Sequence, residues 1–241
     1  MIVLRFLRTV IGIPLIFAYM CVCATVIFIA GERELSEKAL RHWCRFCLII
    51  AGARVDAQQQ VQFDHKQSFV FISNHTSHLD VPAIITTTPV PLRFIAKKEL
   101  SYIPFFGQAA RRMGHVFIDR KDTKGAARAI KARIDKGLGG VALFFFPEGT
   151  RATTSELLPF KKGAAIAAIE TQLQVVPIGV AGARAVLPPK GLALFEPGPI
   201  AVNYGAPLSV QGYTLDTRDG LVVEQRRAVE ECVAAAARRL S

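Results

Sequence analysis

The chain has few aromatic hydroxyls and indoles: four Tyr and one Trp stand against 16 Phe in 241 residues. That balance suits an apolar cavity better than a base-stacking surface. Negative charge is also scarce, with 19 Asp and Glu against 30 Lys and Arg, a net charge of +11. A surface this basic calls for an anionic partner: nucleic acid, an anionic membrane or a phosphorylated substrate. Only 20% of residues are charged and 51% are hydrophobic, which excludes a disordered or low-complexity chain. A mean hydropathy of +0.32 is high for a purely soluble protein. No Gly-x-x-x-x-Gly-Lys occurs, so nucleoside triphosphate binding has no support. No internal repeat stands out. The length fits one domain able to bury a full core.

The five cysteines, Cys21, Cys23, Cys44, Cys47 and Cys232, are an odd number, and four lie in the first fifth of the chain. Cys44-x-x-Cys47 has a spacing compatible with a metal or redox site. Cys21 and Cys23 lie inside an apolar run, where Cys behaves as a small hydrophobe. Buried or lipid-facing thiols in a reducing cytoplasm are the stronger expectation.

Charge is absent from Thr9 to Ala30. As a helix those 22 residues span roughly 33 Å, about a hydrocarbon core thickness. Arg5 and Arg8 precede the run as in a signal sequence, but Phe28-Ile29-Ala30 is no small-x-small cleavage site, so the segment is expected to stay attached. A second, amphipathic helix is expected from about Leu35 to Ala53. Its apolar face is Leu40, Trp43, Cys44, Cys47 and Leu48, and its basic face is Lys38, Arg41 and Arg45. A single span and a helical hairpin dipping into one leaflet both fit. Residues 1–57 are thus expected to anchor the chain in a membrane, and 58–241, beginning with the polar linker Gln58-Gln59-Gln60, to form the main domain.

Beyond the linker, expected strands Ser68–Ile72, Leu92–Ile95, His115–Ile118, Val141–Phe145, Val175–Val180 and Pro199–Tyr204 alternate with helices. The helices are Val81–Thr87, Ile103–Arg112, Lys124–Lys136, Gly163–Gln172 and Leu221–Leu240. Unbroken apolar strands such as Val141–Phe145 imply burial on both faces, hence an α/β fold with a mainly parallel or mixed sheet covered by helices. Leu187 to Pro199 reads as a surface loop. Between Lys97 and Lys136 there are 11 basic residues against four acidic ones, more than solubility needs.

The first of these strands runs into Ser73-Asn74-His75-Thr76-Ser77-His78-Leu79-Asp80 and then Val81-Pro82. Pro in a first helical turn places this loop at a strand's C-terminal end, where open α/β sheets bind ligands. His75 and Asp80 would lie about 140° apart on a regular helix, so they meet only if His75 precedes it. Such a pair is a general base held in one tautomer by a carboxylate. Three other readings stand beside it. Asp80 caps the helix, or His78 is the active histidine, or His75, His78 and Asp80 share a metal.

Phe146-Pro147-Glu148-Gly149-Thr150-Arg151 follows another buried strand. Gly149 lets backbone approach a ligand, Thr150 offers a hydroxyl, and Arg151 can grip a phosphate bidentately. Arg120 ends a further strand in Phe117-Ile118-Asp119-Arg120. The plainer reading is a pair of turns with solvated arginines.

These blocks resemble the glycerolipid acyltransferase family, whose best-known members make phosphatidic acid from lysophosphatidic acid. Asn74, His75 and Asp80 match its Asn-His-x-x-x-x-Asp, and Gly114 with Phe117 to Arg120 its Gly-x-x-Phe-Ile-Asp-Arg. Phe146 to Arg151 match its Phe-Pro-Glu-Gly-Thr-Arg, and Val176 to Gly179 its Val-Pro-Ile-Gly. Ala96 to Leu100 with Ile103, Pro104, Phe106 and Gly107 add to the likeness, which covers about residues 68 to 182.

The resemblance implies a glycerol-phosphate acyltransferase-like fold behind an N-terminal membrane-associated helical segment. It also implies direct transfer of an acyl group, without an acyl-enzyme, from acyl-CoA or acyl-carrier protein to the sn-2 hydroxyl of lysophosphatidic acid. His75 oriented by Asp80 would be the base. Arg120, Glu148, Gly149, Thr150 and Arg151 would hold the acceptor's phosphate, with Lys98 and Lys97 neutralising charge nearby. No cofactor, metal or nucleic acid is implied; the partners are a lysolipid, the thioester donor and an anionic membrane, on the cytoplasmic face of the inner membrane if the source is bacterial. Asp rather than Glu at position 80 favours the glycerolipid branch over lipid A acyltransferases. The rivals are transfer onto lyso-ornithine lipid or another lysophospholipid and, in a different class, a non-enzymatic binder of anionic membranes.

Overall fold

Strands apolar on both faces need cover on both faces, and the computed structural model provides it. The structure describes residues 2–60, 62, 64, 66–119, 121–154, 156–189 and 194–240. Two helices lead, α1 (Ile2–Ala30) and α2 (Glu34–Ala51), followed by strands β1 (Ala53–Gln59) and β2 (Val70–Ser73). Next come α3 (Asp80–Thr87), β3 (Leu92–Lys97), a 3-10 turn over Lys98–Tyr102, α4 (Phe106–Arg112) and β4 (Val116–Ile118). Then α5 (Thr123–Asp135), β5 (Ala142–Phe145), α6 (Gly163–Thr171), β6 (Val175–Ala181), α7 (Ala183–Val186), β7 (Gly198–Tyr204) and α8 (Arg218–Arg238) complete the order.

The strands form one sheet in the order β1-β7-β6-β2-β5-β3-β4. Every pairing is parallel except β6 with β7, so the sheet is mixed, as the sequence suggests. Alternation along the central strands divides the core. Phe71, Phe144 and Val176 pack under α2, α3 and α7. Val70, Ile72, Leu143 and Phe145 pack under α5, α6 and α8.

Several expectations change. The helix expected to reach Ala53 stops at Ala51, because Gly52 takes a left-handed cap at φ 72°. The stretch expected as a polar linker is largely β1, an edge strand paired in register with β7, Val55 opposite Ile200. Alternating half-buried and exposed positions, with little beyond Val55 to bury, hid that strand in the sequence; main-chain pairing to β7 holds it. The loop after Leu187 is also less superficial than expected. Phe195 is buried, and its N–H donates to Thr9 Oγ1 at 2.9 Å.

Helix α1 is long and apolar enough to cross a membrane over Val3–Ala30. It lies along the molecule as one arm of a hairpin with α2. Arg5 pairs with Glu196 near its start, and Arg112 Nε donates to Phe28 O near its end. Ala24 and Ile27 pack on Ala109 of α4 and on Met113 at its C-cap. Phe6, Ile11, Phe17, Val22, Phe28 and Ile29 remain exposed. The hairpin is latched to the sheet by charge as well: Arg93 Nη1 donates to Glu37 at 2.7 Å and Arg133 Nη2 to Glu32 at 3.1 Å.

Candidate active site

Strands β2 and β5 are parallel neighbours, so the loops that follow them leave the same edge of the sheet side by side. Asn74 opens the β2 loop and ties it to β6: its amide donates to Val180 O at 2.9 Å and accepts Val180 N–H at 2.8 Å. His75 lies on the turn before α3, and its Nδ1 is 2.9 Å from Asp80 Oδ2. The same oxygen accepts the backbone N–H groups of Thr76 and Ser77 at 2.7 and 2.8 Å. Asp80 is fully buried, at the positive end of α3. The cap position belongs to Leu79, so the carboxylate turns back onto the loop instead of capping the helix. With Nδ1–H facing that carboxylate, Nε2 keeps its lone pair. The imidazole lies flat on Phe146, ring centroids 3.9 Å apart.

His78 is exposed and bonds to none of these groups. Desolvation first, then the charges of Arg151 and His75, hold its pKa below the ordinary histidine value. Among the described residues no three His, Cys, Asp or Glu side chains converge as a metal would require. Cys44 and Cys47 are buried free thiols of α2, and burial pushes Cys47 up to about 12.

The β5 loop brings the second constellation to the first. Glu148 does not face outward, as a share in holding a phosphate would require. It is buried, and accepts His75 N–H at 2.7 Å and Leu158 N–H at 2.9 Å. Burial raises its pKa against the pull of those two bonds. Its place is therefore behind the histidine loop, and a carboxylate there would repel a phosphate. Gly149 turns the chain at φ 72°, which few side chains tolerate, and the Lys161 side chain folds over it. Thr150 is exposed, Arg151 is half-buried, and among the described residues no carboxylate pairs with Arg151. Lys98 is engaged elsewhere: its ammonium sits 2.5 Å from Asp119 Oδ2, across the ends of β3 and β4. Arg120 lies outside the described residues.

Sequence reasoning missed three contributors: the Asn74 clamp, the Phe146 platform and Lys161. The only sequence signal for Lys161 was a cation pair just before α6. An apolar groove of about 430 Å³ opens beside Phe146 and Gly149, between Ala127 and Ile130 of α5 and Ile166 and Ala167 of α6.

Comparison with known proteins places this arrangement. A family model described as "Acyltransferase" matches residues 53–181. The 1-acyl-sn-glycerol-3-phosphate acyltransferase alpha of Mus musculus is 31% identical over 210 residues, 86% of this chain and 72% of the mouse protein. The 1-acyl-sn-glycerol-3-phosphate acyltransferase of Limnanthes douglasii is 34% identical over 161 residues, and the matched part spans only 56% of that protein. In fold, the crystal structure of the 1-acyl-sn-glycerophosphate acyltransferase PlsC from Thermotoga maritima superposes with a TM-score of 0.77. It covers 95% of this chain and 97% of that one at 24% identity. With more than half of its length inside the family model, and the mouse protein matched over most of both sequences, the chain belongs to the acyltransferase family.

Proposed function

We propose that the chain transfers a fatty acyl group from a thioester, acyl-CoA or acyl-carrier protein, to the sn-2 hydroxyl of lysophosphatidic acid, forming phosphatidic acid. The observation that carries this reading is the contact of His75 Nδ1 with the buried Asp80, which leaves Nε2 free to act as a base. As the acceptor hydroxyl attacks the thioester carbonyl, Nε2 takes its proton, and Asp80 stabilises the imidazolium that forms. The tetrahedral intermediate collapses with loss of the C–S bond, and the departing thiolate recovers the proton from His75. One ester and one thiol result, and nothing is oxidised or reduced. Arg151, with Arg120, supplies the charge for the acceptor's phosphate, and the groove beside Phe146 offers apolar room for a chain.

The hairpin of α1 and α2 is the membrane anchor in this reading. Both ends of α1 are tied to the domain, so it lies in one leaflet with its exposed apolar face in the lipid. The names of the relatives support the choice of acceptor. The test is thiol release and product identity, with purified protein, both donor types, and lysophosphatidic acid, lysophosphatidylglycerol and lyso-ornithine lipid as acceptors. The highest kcat/KM is expected on lysophosphatidic acid. A higher value on lyso-ornithine lipid would overturn the assignment.

A further inference from the structure

The segment between β3 and α4 is built unlike an ordinary loop. Leu100, Tyr102, Ile103 and Phe105 are all exposed, Tyr102 at 69% and Phe105 at 51% of their surface, while Ser101 between them is buried. Phe105 has φ 62° and ψ −50°, and Phe106 N–H donates across it to Pro104 O at 2.7 Å. That is a γ-turn with positive φ at a residue bearing a large side chain, a rare and strained conformation. Its product is a phenyl ring held out in solvent. Four large apolar side chains in six residues, one of them displayed at a cost in strain, mark a surface that is covered when the protein works.

Its position identifies the cover. The segment leaves the sheet at the edge that carries His75, two strands away across β5. It runs directly into α4, whose Phe106 and Ala109, with the C-cap residue Met113, share an apolar cavity with Met20, Cys23 and Ile27 of α1. Arg112, at the end of α4, donates to Phe28 O, so the patch is joined through α4 to the end of α1 where Phe28 and Ile29 are exposed. Cations lie beside it. Arg111 Nη2 donates to Ser101 Oγ at 2.8 Å, Arg112 lies over the Phe28 ring, and among the described residues neither has a carboxylate partner. Apolar side chains for the acyl region flanked by arginines for the headgroups fit an anionic bilayer.

We infer that Leu100–Phe105 is a second membrane-inserted element, which, with α1, seats the catalytic edge of the sheet on an anionic lipid surface. It deepens the proposed function by fixing how the site faces the acceptor, but insertion itself is measured without any acyl transfer.

The probe is a single Trp. In a Trp43→Phe background, Tyr102→Trp reports on the segment, and Val223→Trp, on the exposed face of α8, is the control. Each protein is mixed with vesicles of phosphatidylcholine and phosphatidylglycerol, with and without bromine on the acyl chains. The expected result is a blue shift and bromine quenching for the residue-102 probe and neither for the residue-223 probe. Unquenched emission at residue 102 from protein that floats with the vesicles overturns the inference, as does failure to float. A blue shift before any lipid is added overturns it as well, since a second copy would then be the cover. The double variant Tyr102→Asp, Phe105→Asp should raise KM for a vesicle-borne lysolipid by about 10-fold or more. Its kcat/KM on a short-chain, water-soluble acceptor should not change. An equal loss on both acceptors would assign the segment to folding of the domain rather than to the membrane, whatever the fate of the proposed reaction.

Discussion

Glu148 Oε1 accepts the backbone N–H of His75 at 2.7 Å, so a buried carboxylate from the β5 loop holds the histidine-bearing loop of β2. Its other oxygen accepts Leu158 N–H, which fixes the chain beyond Arg151 in the same stroke. Both carboxylate oxygens are thereby engaged by backbone donors. Glu148→Gln keeps one acceptor but turns an amide donor onto a backbone donor, at a cost of about 1–3 kcal/mol in stability. Turnover should fall with it while KM for the acceptor stays within about twofold, a split read from steady-state kinetics. A variant with normal kcat and a much raised acceptor KM would return Glu148 to the phosphate site.

Arg151 follows the β5 loop close enough to lower the pKa of His78, and among the described residues it has no carboxylate partner. Charge-assisted hydrogen bonds to a phosphate monoester contribute on the order of 1.5–3 kcal/mol. Arg151→Ala should therefore lower kcat/KM for lysophosphatidic acid by about one to two decades, and much less for an acceptor whose phosphate is capped. Arg151→Lys should rescue poorly, because a point charge does not reproduce a bidentate fork. Equal losses on the two acceptors would remove Arg151 from the acceptor site.

His115 contributes to the acid sensitivity expected of the fold. Its Nδ1 accepts Phe94 N–H at 3.1 Å, and burial, with Arg93 and Arg133 nearby, lowers its pKa to about 3. The unfolded chain binds that proton near pH 6.5 and the folded chain does not, so stability falls as pH drops from about 6.5 towards 3. The loss from this one group is on the order of 5 kcal/mol at most. Glu148 opposes it weakly: its raised pKa makes the fold bind a proton more readily than the unfolded chain, so its own contribution is lost as pH rises. Thermal unfolding of His115→Asn, whose side-chain oxygen can still accept Phe94 N–H, should show a flatter decline of Tm below pH 6.5. An unchanged slope would place the acid-labile group elsewhere.

Much of the fold was legible because its signals are local. Apolar runs such as Ala142–Phe145 can be buried only on both faces, and the charge-free run after Arg8 can only be a helix seeking apolar cover. β1 was not legible: Ala53–Gln59 has little hydrophobic pattern, and main-chain pairing to β7, far along the chain, makes it a strand. At the site, His75 and Asp80 could be read as a pair because the spacing and Pro82 put the histidine before the helix. The inward turn of Glu148 was not legible, because nothing in Phe-Pro-Glu-Gly-Thr-Arg says which way a carboxylate turns. That is decided by the β2–β5 neighbourhood, which puts His75 N–H within its reach. The helix expected from Ile103 starts only at Phe106, because the positive-φ turn at Phe105 breaks it and puts that ring outside.

The most direct measurement is single-turnover acyl transfer from a thioester to lysophosphatidic acid by the wild type, His75→Ala, Asp80→Ala and His78→Ala. If His75 Nε2 is the base and Asp80 holds it, the first two variants should each lose about 10²–10⁴ in rate with acceptor affinity kept. His78→Ala, with no bond to either group, should lose far less. Near-normal transfer by His75→Ala, or a larger loss in His78→Ala, would contradict the assignment of the base.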